Sequence, residues 1–394
     1  MASKELEEKR AYRLQLFVDS FAREKRPDRI PHTSAFITWQ ILDAGYKLSE
    51  ALFNYDIMRK CIIEHCEKYE WDGISSYGTR NPLQVTTTLG TQYYRVDDEA
   101  ETISIDAYEL LGHDELREFA KDPTKFLWEV CMPRKHPLFN SEMTKETFQK
   151  TIDENVKFNN YSMGVMREIN ERFAYPASSS PFIGFPYMGN EYLFSMLRGI
   201  KGFSLSMRRD IEALGEAADA LDKLNFWNVY RNLQGRPVGR EPGCTSDANL
   251  MFLSHVVMNR KQWEYLYWNR TIKPFIDEAA AKKKNINIMF EGIGGRFYDY
   301  FADYPKGTVA ISMEQDDIFE AKKKYPQLAF IGGMPSITLG RGTKQEVLDL
   351  AKKLINEVGY DGGYVMSLDK MGSNRQDGNP ENVKALCDSM QVQD

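Results

Sequence analysis

The clearest pattern lies in the C-terminal third, where short apolar runs end in polar loops and alternate with segments of helical spacing. Asn285 to Phe290 (NINIMF) predicts a strand ending in Glu291-Gly292-Ile293-Gly294-Gly295. Thr308 to Met313 (TVAISM) predicts the next, ending in Glu314-Gln315-Asp316-Asp317, with a helix over 317–325 behind it. Leu328 to Gly332 follows. Thr343, with Glu346 three positions on, then marks a capping box for a helix whose apolar face is Val347, Leu350, Ala351, Leu354 and Val358. Gly362 to Ser367 is the last predicted strand, and Asn379-Pro380 starts the last helix with a cap and a proline at its first position.

The first half carries the same alternation less cleanly. Residues 3–25 predict a helix, Pro31 to Trp39 (PHTSAFITW) a first strand, 49–69 a helix, and 73–77 a second buried strand. Residues 83–110 are β-rich (LQVTTTL, QYYRV, ETISIDAY) and predict an antiparallel excursion with a turn at Asp97-Asp98-Glu99. Residues 111–180 read as mostly helical and polar, closed by Ser178-Ser179-Ser180-Pro181, and Phe182 to Phe185 restarts the strand signal. Strand, polar loop and helix in repetition imply a parallel sheet covered by helices. The order fits a doubly wound sheet or a closed barrel. With no dinucleotide fingerprint at the first turn, the expectation is an α/β fold of the (β/α)8 TIM-barrel type. It is expected to be a single domain over 1–394, with an N-terminal helical extension (1–30) and an antiparallel β and helical insertion (83–180) after strand 2.

Composition narrows the class. Hydrophobic residues are 42% and charged residues 27%, enough for a large core, and the net charge of −6 is spread along the chain. Nothing resembles a basic stripe for nucleic acid, and no apolar run approaches the roughly 20 residues that span a bilayer. The charged N-terminus is unlike a secretory leader, so a cytoplasmic location is expected. Five scattered cysteines fit reduced thiols, and no CxxC, HxC, HxxxH or HExxH occurs.

In such barrels the chemistry lies at the C-terminal strand ends. Glu291, held between an apolar strand and three glycines, reads either as a metal ligand or general acid, or as an anchor for loop amides. Glu314 ends the next strand, so the two carboxylates are expected to converge. With a third donor they would make a zinc site with an open position. His255, Cys244 and Asp369 are the candidates for that third ligand, while Asp316 or Asp317 has the plainer role of helix cap. Among the five histidines, each also has a structural reading. Trp39, Asp43 and Tyr46 after strand one, and Tyr77, Arg80 and Asn81 after strand two, suit a flat, partly charged ligand or else a lid. Tyr187 and Met334 complete the substrate-binding candidates. Cys61 and the aromatic run 262–268 (QWEYLYW) read as helix packing or, for the latter, an interface.

Several of these segments together resemble the uroporphyrinogen decarboxylase-like superfamily. They are IMFEGIGG, AISMEQDDIFEAKKKYP, Phe330-Ile331-Gly332-Gly333-Met334-Pro335, Gly340-Arg341-Gly342-Thr343, Gly362 to Ser367, and Asn379-Pro380-Glu381-Asn382. PHTSAFITWQILDAGY and DGISSYGTRNP fit more loosely. The decarboxylase's Arg-Gln-Ala-Gly-Arg segment is missing, and WQILDAGY is similar instead to corrinoid-dependent methyltransferases of the O-demethylase methyltransferase I branch. That resemblance implies transfer of a methyl group from a methoxylated aromatic to cobalt(I) of cobalamin carried by a separate corrinoid protein, with zinc or a protonated carboxyl assisting the leaving oxygen. Thiol methyltransferases of the superfamily carry His-x-Cys where this chain has Glu291-Gly292-Ile293, and a further Cys where it has Asp369-Lys370. The resemblance therefore implies ether cleavage rather than thiol methylation. A decarboxylase-like lyase, a donor such as methylamine, betaine or methanol, and a non-catalytic aromatic sensor are the rivals, and a homodimer stays open.

Overall fold

The computed structural model describes residues 4–74, 82–91, 93–106, 108–183 and 185–392. Its centre is a five-stranded parallel sheet in the order β11-β10-β9-β8-β7, formed by Tyr364–Leu368 (β11), Ala329–Met334 (β10), Val309–Met313 (β9), Ile286–Phe290 (β8) and Ala248–Phe252 (β7). Thr33–Ser34 (β1) pairs in parallel with Gly73–Ile74 (β2), and parallel bridges join its flanks to β11 (His32 to Met366) and to the segment after β11 (Phe36 to Gly372). At the other edge Cys244–Ser246 (β6) leads into β7 and pairs in parallel with Ala177–Ser179 (β5). The succession β2-β1-β11-β10-β9-β8-β7 with β5 beyond is the strand order of an eight-stranded α/β barrel. Among the described residues no ladder joins β2 to β5, so the hydrogen bonding traces a barrel-like arc and not a closed ring.

The period-2 alternation of the strands decides which way each side chain faces. In β8, Ile286, Ile288 and Phe290 are fully buried against the helices. Asn287 and Met289 face inward. Outside, Phe252, Phe290 and Phe297 surround Trp263, with ring centroids 4.5–6.2 Å from it. The run QWEYLYW is thus helix packing, as its pattern implied: Trp263 and Tyr267 are inaccessible to solvent. Cys61 is core as well, and burial pushes its thiol up to about 12.

Three local expectations are corrected. LQVTTTL is not a strand: Leu83–Thr88 is a helix, because the hydroxyls of Thr86, Thr87 and Thr88 bond back to the carbonyls of Leu83 and Val85. The hairpin itself is present as Tyr94–Asp97 (β3) and Thr102–Ile105 (β4), with the Asp97 carboxylate accepting the amides of Glu99 and Ala100 in its turn. The strand expected at 182–185 lies instead at Ala177–Ser179, inside the serine run read as a loop. Most of PHTSAFITW is not extended either, since only Thr33–Ser34 joins a ladder before the helix Trp39–Asp43 begins.

The base of the sheet is clamped by buried ions. Asp72, fully buried, accepts both guanidinium nitrogens of Arg29 at 2.6 Å and lies 2.8 Å from His32 Nδ1. Burial alone would raise the Asp72 pKa, but His32 and Arg29 overcome it and hold the carboxyl far below its usual range. The N-terminal helix α1 (Lys4–Ala22) joins this clamp through Arg13, whose Nε lies 3.6 Å from Asp72. Replacing Asp72 by Ala strands a buried guanidinium, so stability measured by urea unfolding is expected to fall by about 3–5 kcal/mol, against less than about 1 kcal/mol for Asp388→Ala, which removes only the exposed pair with Lys384.

Candidate functional site

A cavity of about 580 Å³ occupies the space inside the strands. Each parallel segment of the arc contributes to its wall. Phe17 and Phe21 of α1 form its floor, and Ile331, Val365, Met251, Met289 and Met313 are among its apolar lining. Its polar lining includes Asn249, Asn287, Ser312 and Ser367, with Asn249 and Asn287 in register with Ala310. Asn287 Oδ1 is buried with no hydrogen-bond partner among the described residues. Phe185, Glu314, Asp369, Lys370 and Met371 form the upper end, at the C-terminal ends of the strands.

Glu314 follows β9 with inward parity. Its Oε2 accepts the Gly292 amide at 2.7 Å, which pins the glycine loop after β8. Asp316 pins the rest of that loop by accepting the amides of Gly294 and Gly295 and the Tyr298 hydroxyl. The loop-anchor role weighed for Glu291 thus falls to its neighbours. Asp317 caps the next helix through the amides of Phe319 and Glu320, as expected. The Glu291 amide donates to the Phe252 carbonyl at 3.1 Å, but its carboxylate carries no hydrogen bond or ion pair among the described residues and the residue stands exposed at the rim. Desolvation by the surrounding walls raises its pKa. The Glu314 pKa is also raised, first by desolvation and then by the charges of Glu291 and Asp369, while the Gly292 amide and Lys370 pull it back down. Asp369 holds the amide of Ser336 at 2.9 Å, and Lys370 is 2.7 Å from Asp377.

Glu291 and Asp369 both lie within electrostatic reach of Glu314. The other described candidates do not. His255 is fully buried edge-on to Phe290, behind the sheet, and burial lowers its pKa to about 4. Cys244 starts β6, is buried there against the Pro242 carbonyl, and does not line the cavity. Its thiol pKa is raised by desolvation. Trp39 is buried on Phe36 and donates to the Gly378 carbonyl at 2.9 Å. Asp43 pairs with Lys68 and Tyr69, and the Tyr46 hydroxyl accepts from Lys60 at 2.8 Å, all away from the cavity. Met334 is fully buried in the core. Tyr187 bonds Ser195 at 2.7 Å and stacks behind Phe185. Tyr77, Arg80 and Asn81 lie outside the described residues.

This placement bears on zinc. With His255 and Cys244 elsewhere, only carboxylates remain at the mouth, and two of them already hold backbone amides. Among the described residues no group of three His, Cys, Asp or Glu side chains is arranged to hold a metal ion. The donor set does not fit a nitrogen- and sulfur-ligated zinc.

No family model and no curated protein matches the chain. Among solved structures, a methyltransferase from Methanosarcina mazei is similar, with a TM-score of 0.58, 14% sequence identity, and coverage of 96% of this chain and 98% of that one. At that identity the likeness is one of fold, over nearly the whole length of both chains.

One buried group near the mouth carries no strong sequence signal. Glu191 begins a helical stretch after β5 and is fully buried. It accepts from the Tyr267 hydroxyl and from the Ser254 amide at 3.2 Å, tying the segment after β5 to the segment after β7. Desolvation raises its pKa to about 7 against these hydrogen bonds, and Asp222, which holds the Gly189 amide at 2.6 Å, is raised to about 7 for the same reason. A carboxyl whose folded pKa is raised contributes stability that is full below its unfolded value and is lost as pH rises through its folded value. Stability is expected to decline from about pH 4.5 toward pH 7 and above, and Glu191→Gln is expected to flatten that slope in denaturant melts taken across the range.

Proposed function

We propose that the chain is a methyltransferase that moves a methyl group from a methoxylated aromatic to the cobalt(I) of cobalamin on a separate corrinoid protein. The observation that carries the reading is Glu314, a carboxyl of raised pKa set at the open end of a cavity floored by Phe17 and Phe21. The shared fold with a methyltransferase supports it.

The methyl carbon would pass to the cobalt(I) acceptor of the corrinoid protein as its bond to oxygen breaks, leaving that bond's electron pair on oxygen. A phenolate leaves poorly in a dry site. The proton of Glu314 neutralises it as the charge develops, so that the phenol leaves uncharged and Glu314 is left as the carboxylate. Glu291, open to solvent at the rim, is placed to return the proton. The cavity wall excludes water from the ring, and the upper end stays open to the acceptor.

A second reading has its own support. Glu291, Glu314 and Asp369 outnumber Lys370, which is already paired with Asp377. A mouth of that charge suits a methylated ammonium donor, whose cationic nitrogen would lie among ionised carboxylates. The two readings have opposite pH dependence. Ether cleavage is expected to fall as pH rises through the Glu314 pKa, because the proton is lost, while an ammonium donor is expected to bind better there.

The assay is methylcobalamin absorbance with a cobalt(I) corrinoid protein and panels of methoxyarenes and methylammonium donors. Glu314→Gln is expected to lower ether demethylation by at least about 10²-fold, with a smaller loss for Glu291→Gln. Activity of Glu314→Gln within a few-fold of the parent removes the carboxyl from the mechanism.

A further inference from the structure

The N-terminal helix is part of the cavity. Phe17 and Phe21 are 4% and 2% exposed, and both line it. They pack in one cluster with Ala310, Ala329, Val365 and Ile331, the inward residues at the lower ends of β9, β10 and β11. On β9 and β10 the residues that meet the rings lowest are the small Ala310 and Ala329, so the two phenyl rings provide floor that bulky branched side chains provide in a filled barrel. The approach is close: a Cβ on Gly73 would lie 3.2 Å from Phe17 Cζ. The helix is also fixed. Arg10 and Arg13 donate to the carbonyls of Asn170 and Phe173, Arg13 reaches Asp72, and Arg23, one residue past the helix end, pairs with Asp361.

The depth of the site follows from the register. Ala310 at the floor and Glu314 at the mouth are four residues apart on one strand. That is about 13 Å along the strand, or about 11 Å along the axis of a strand tilted by about 36°. A single ring with a methoxy group at one end and a short substituent at the other fits that length. Lys370 is the only cation lining the cavity among the described residues, and it is at the mouth. A carboxylate carried down to Phe17, Phe21, Ala310 and Val365 would lose its water and meet no cation, its polar neighbours being the uncharged Asn249 and Asn287 in register with Ala310, a large penalty.

We propose that Phe17 and Phe21 determine donor specificity. They read the end of the donor remote from the methyl group and admit single-ring donors whose remote end is short and uncharged. This rests on the reading above that the transferred methyl lies beside Glu314.

The test separates binding from transfer. Isothermal titration of the full chain uses methoxybenzenes bearing para hydrogen, methyl, ethyl, butyl or carboxylate. The parent protein is expected to bind the first three, to lose about tenfold or more at butyl, and to bind the para-carboxylate at least about 10²-fold more weakly than para-methyl. Phe17→Ala is expected to restore the butyl compound to within a few-fold of ethyl, and Phe17→Leu to do so in part, with circular dichroism confirming the fold of each. The carboxylate comparison needs no variant, so it stands even where Phe17→Ala fails to fold. Equal affinity for the carboxylate and methyl compounds, an unmoved length limit in a folded Phe17→Leu, or no binding of any methoxybenzene overturns the proposal. The expected binding pattern without methyl transfer to cobalt(I) leaves the floor's role in binding intact and sinks the proposed function instead.

Discussion

Inside the strands the inward-facing side chains do not fill the space they enclose, and this constraint shapes most of the rest. Where Asn249, Asn287, Ser312 and Ser367 point inward, a filled α/β barrel would carry Val, Ile or Leu in interlocking layers. The sheet therefore gains little from its own interior. Its cohesion comes from the opposite face, where Ile286, Ile288, Phe290, Leu250, Phe252 and Phe330 are buried to within about 1% against the helices. It also comes from the base, where buried ion pairs tie strand to strand. Lys284, for example, holds Glu241 at 2.6 Å beneath β7 and β8. Such pairs add little net stability for their desolvation, but losing one partner is costly, so they fix the position of each element. A hollow interior needs that fixity, since no layer of packed side chains sets the register from within.

The upper end obeys a related rule. Loops that end parallel strands leave backbone amides in a half-buried place where water reaches them poorly. Carboxylates take them: Glu314 holds Gly292, Asp316 holds Gly294 and Gly295, and Asp369 holds Ser336. The same acids that order the loops gather negative charge at the cavity mouth. Repulsion within that group, added to desolvation, keeps Glu314 easier to protonate than a carboxyl in water. Loop order and acid character are thus two results of one arrangement.

What the sequence makes legible follows from where apolar side chains fall. The last four strands were readable because their outward faces are strongly apolar and their helices are amphipathic and capped, as at Thr343 and Asn379. Their order also accounts for Glu291 and Asp369 both acting on Glu314. β5 was hidden because Ala177-Ser178-Ser179 presents serines to a polar cavity and has no apolar run to reveal it. Leu83–Thr88 misled in the other direction: threonines have high strand propensity, but their hydroxyls close on the preceding turn, and the Thr88 hydroxyl pairs with that of Thr151 at 2.8 Å. His255 and Cys244 resembled ligands by residue type, but type says nothing of the face of a sheet, and both fell away from the mouth. Phe17 and Phe21 had only helical spacing to show, which fits any amphipathic helix. The alternation NINIMF did carry a usable sign, because its inward positions are the asparagine and methionine of the cavity wall.

Glu314 has two functions on the proposed reading, and its two oxygens allow both. A protonated carboxyl keeps acceptor capacity while offering one O–H. With Oε2 engaged by the Gly292 amide, the proton belongs on Oε1, so the hydrogen bond that orders the loop also selects which oxygen donates. The same bond is stronger to a carboxylate than to the acid. As the proton passes to the leaving oxygen, the Gly292 amide and the charge of Lys370 gain strength and offset part of the desolvation that raised the pKa beforehand. The group begins the step as a willing donor and ends it as a stabilised base. That differential stabilisation is what an acid catalyst requires, and it comes from contacts already made in the resting fold, with no movement of the loop.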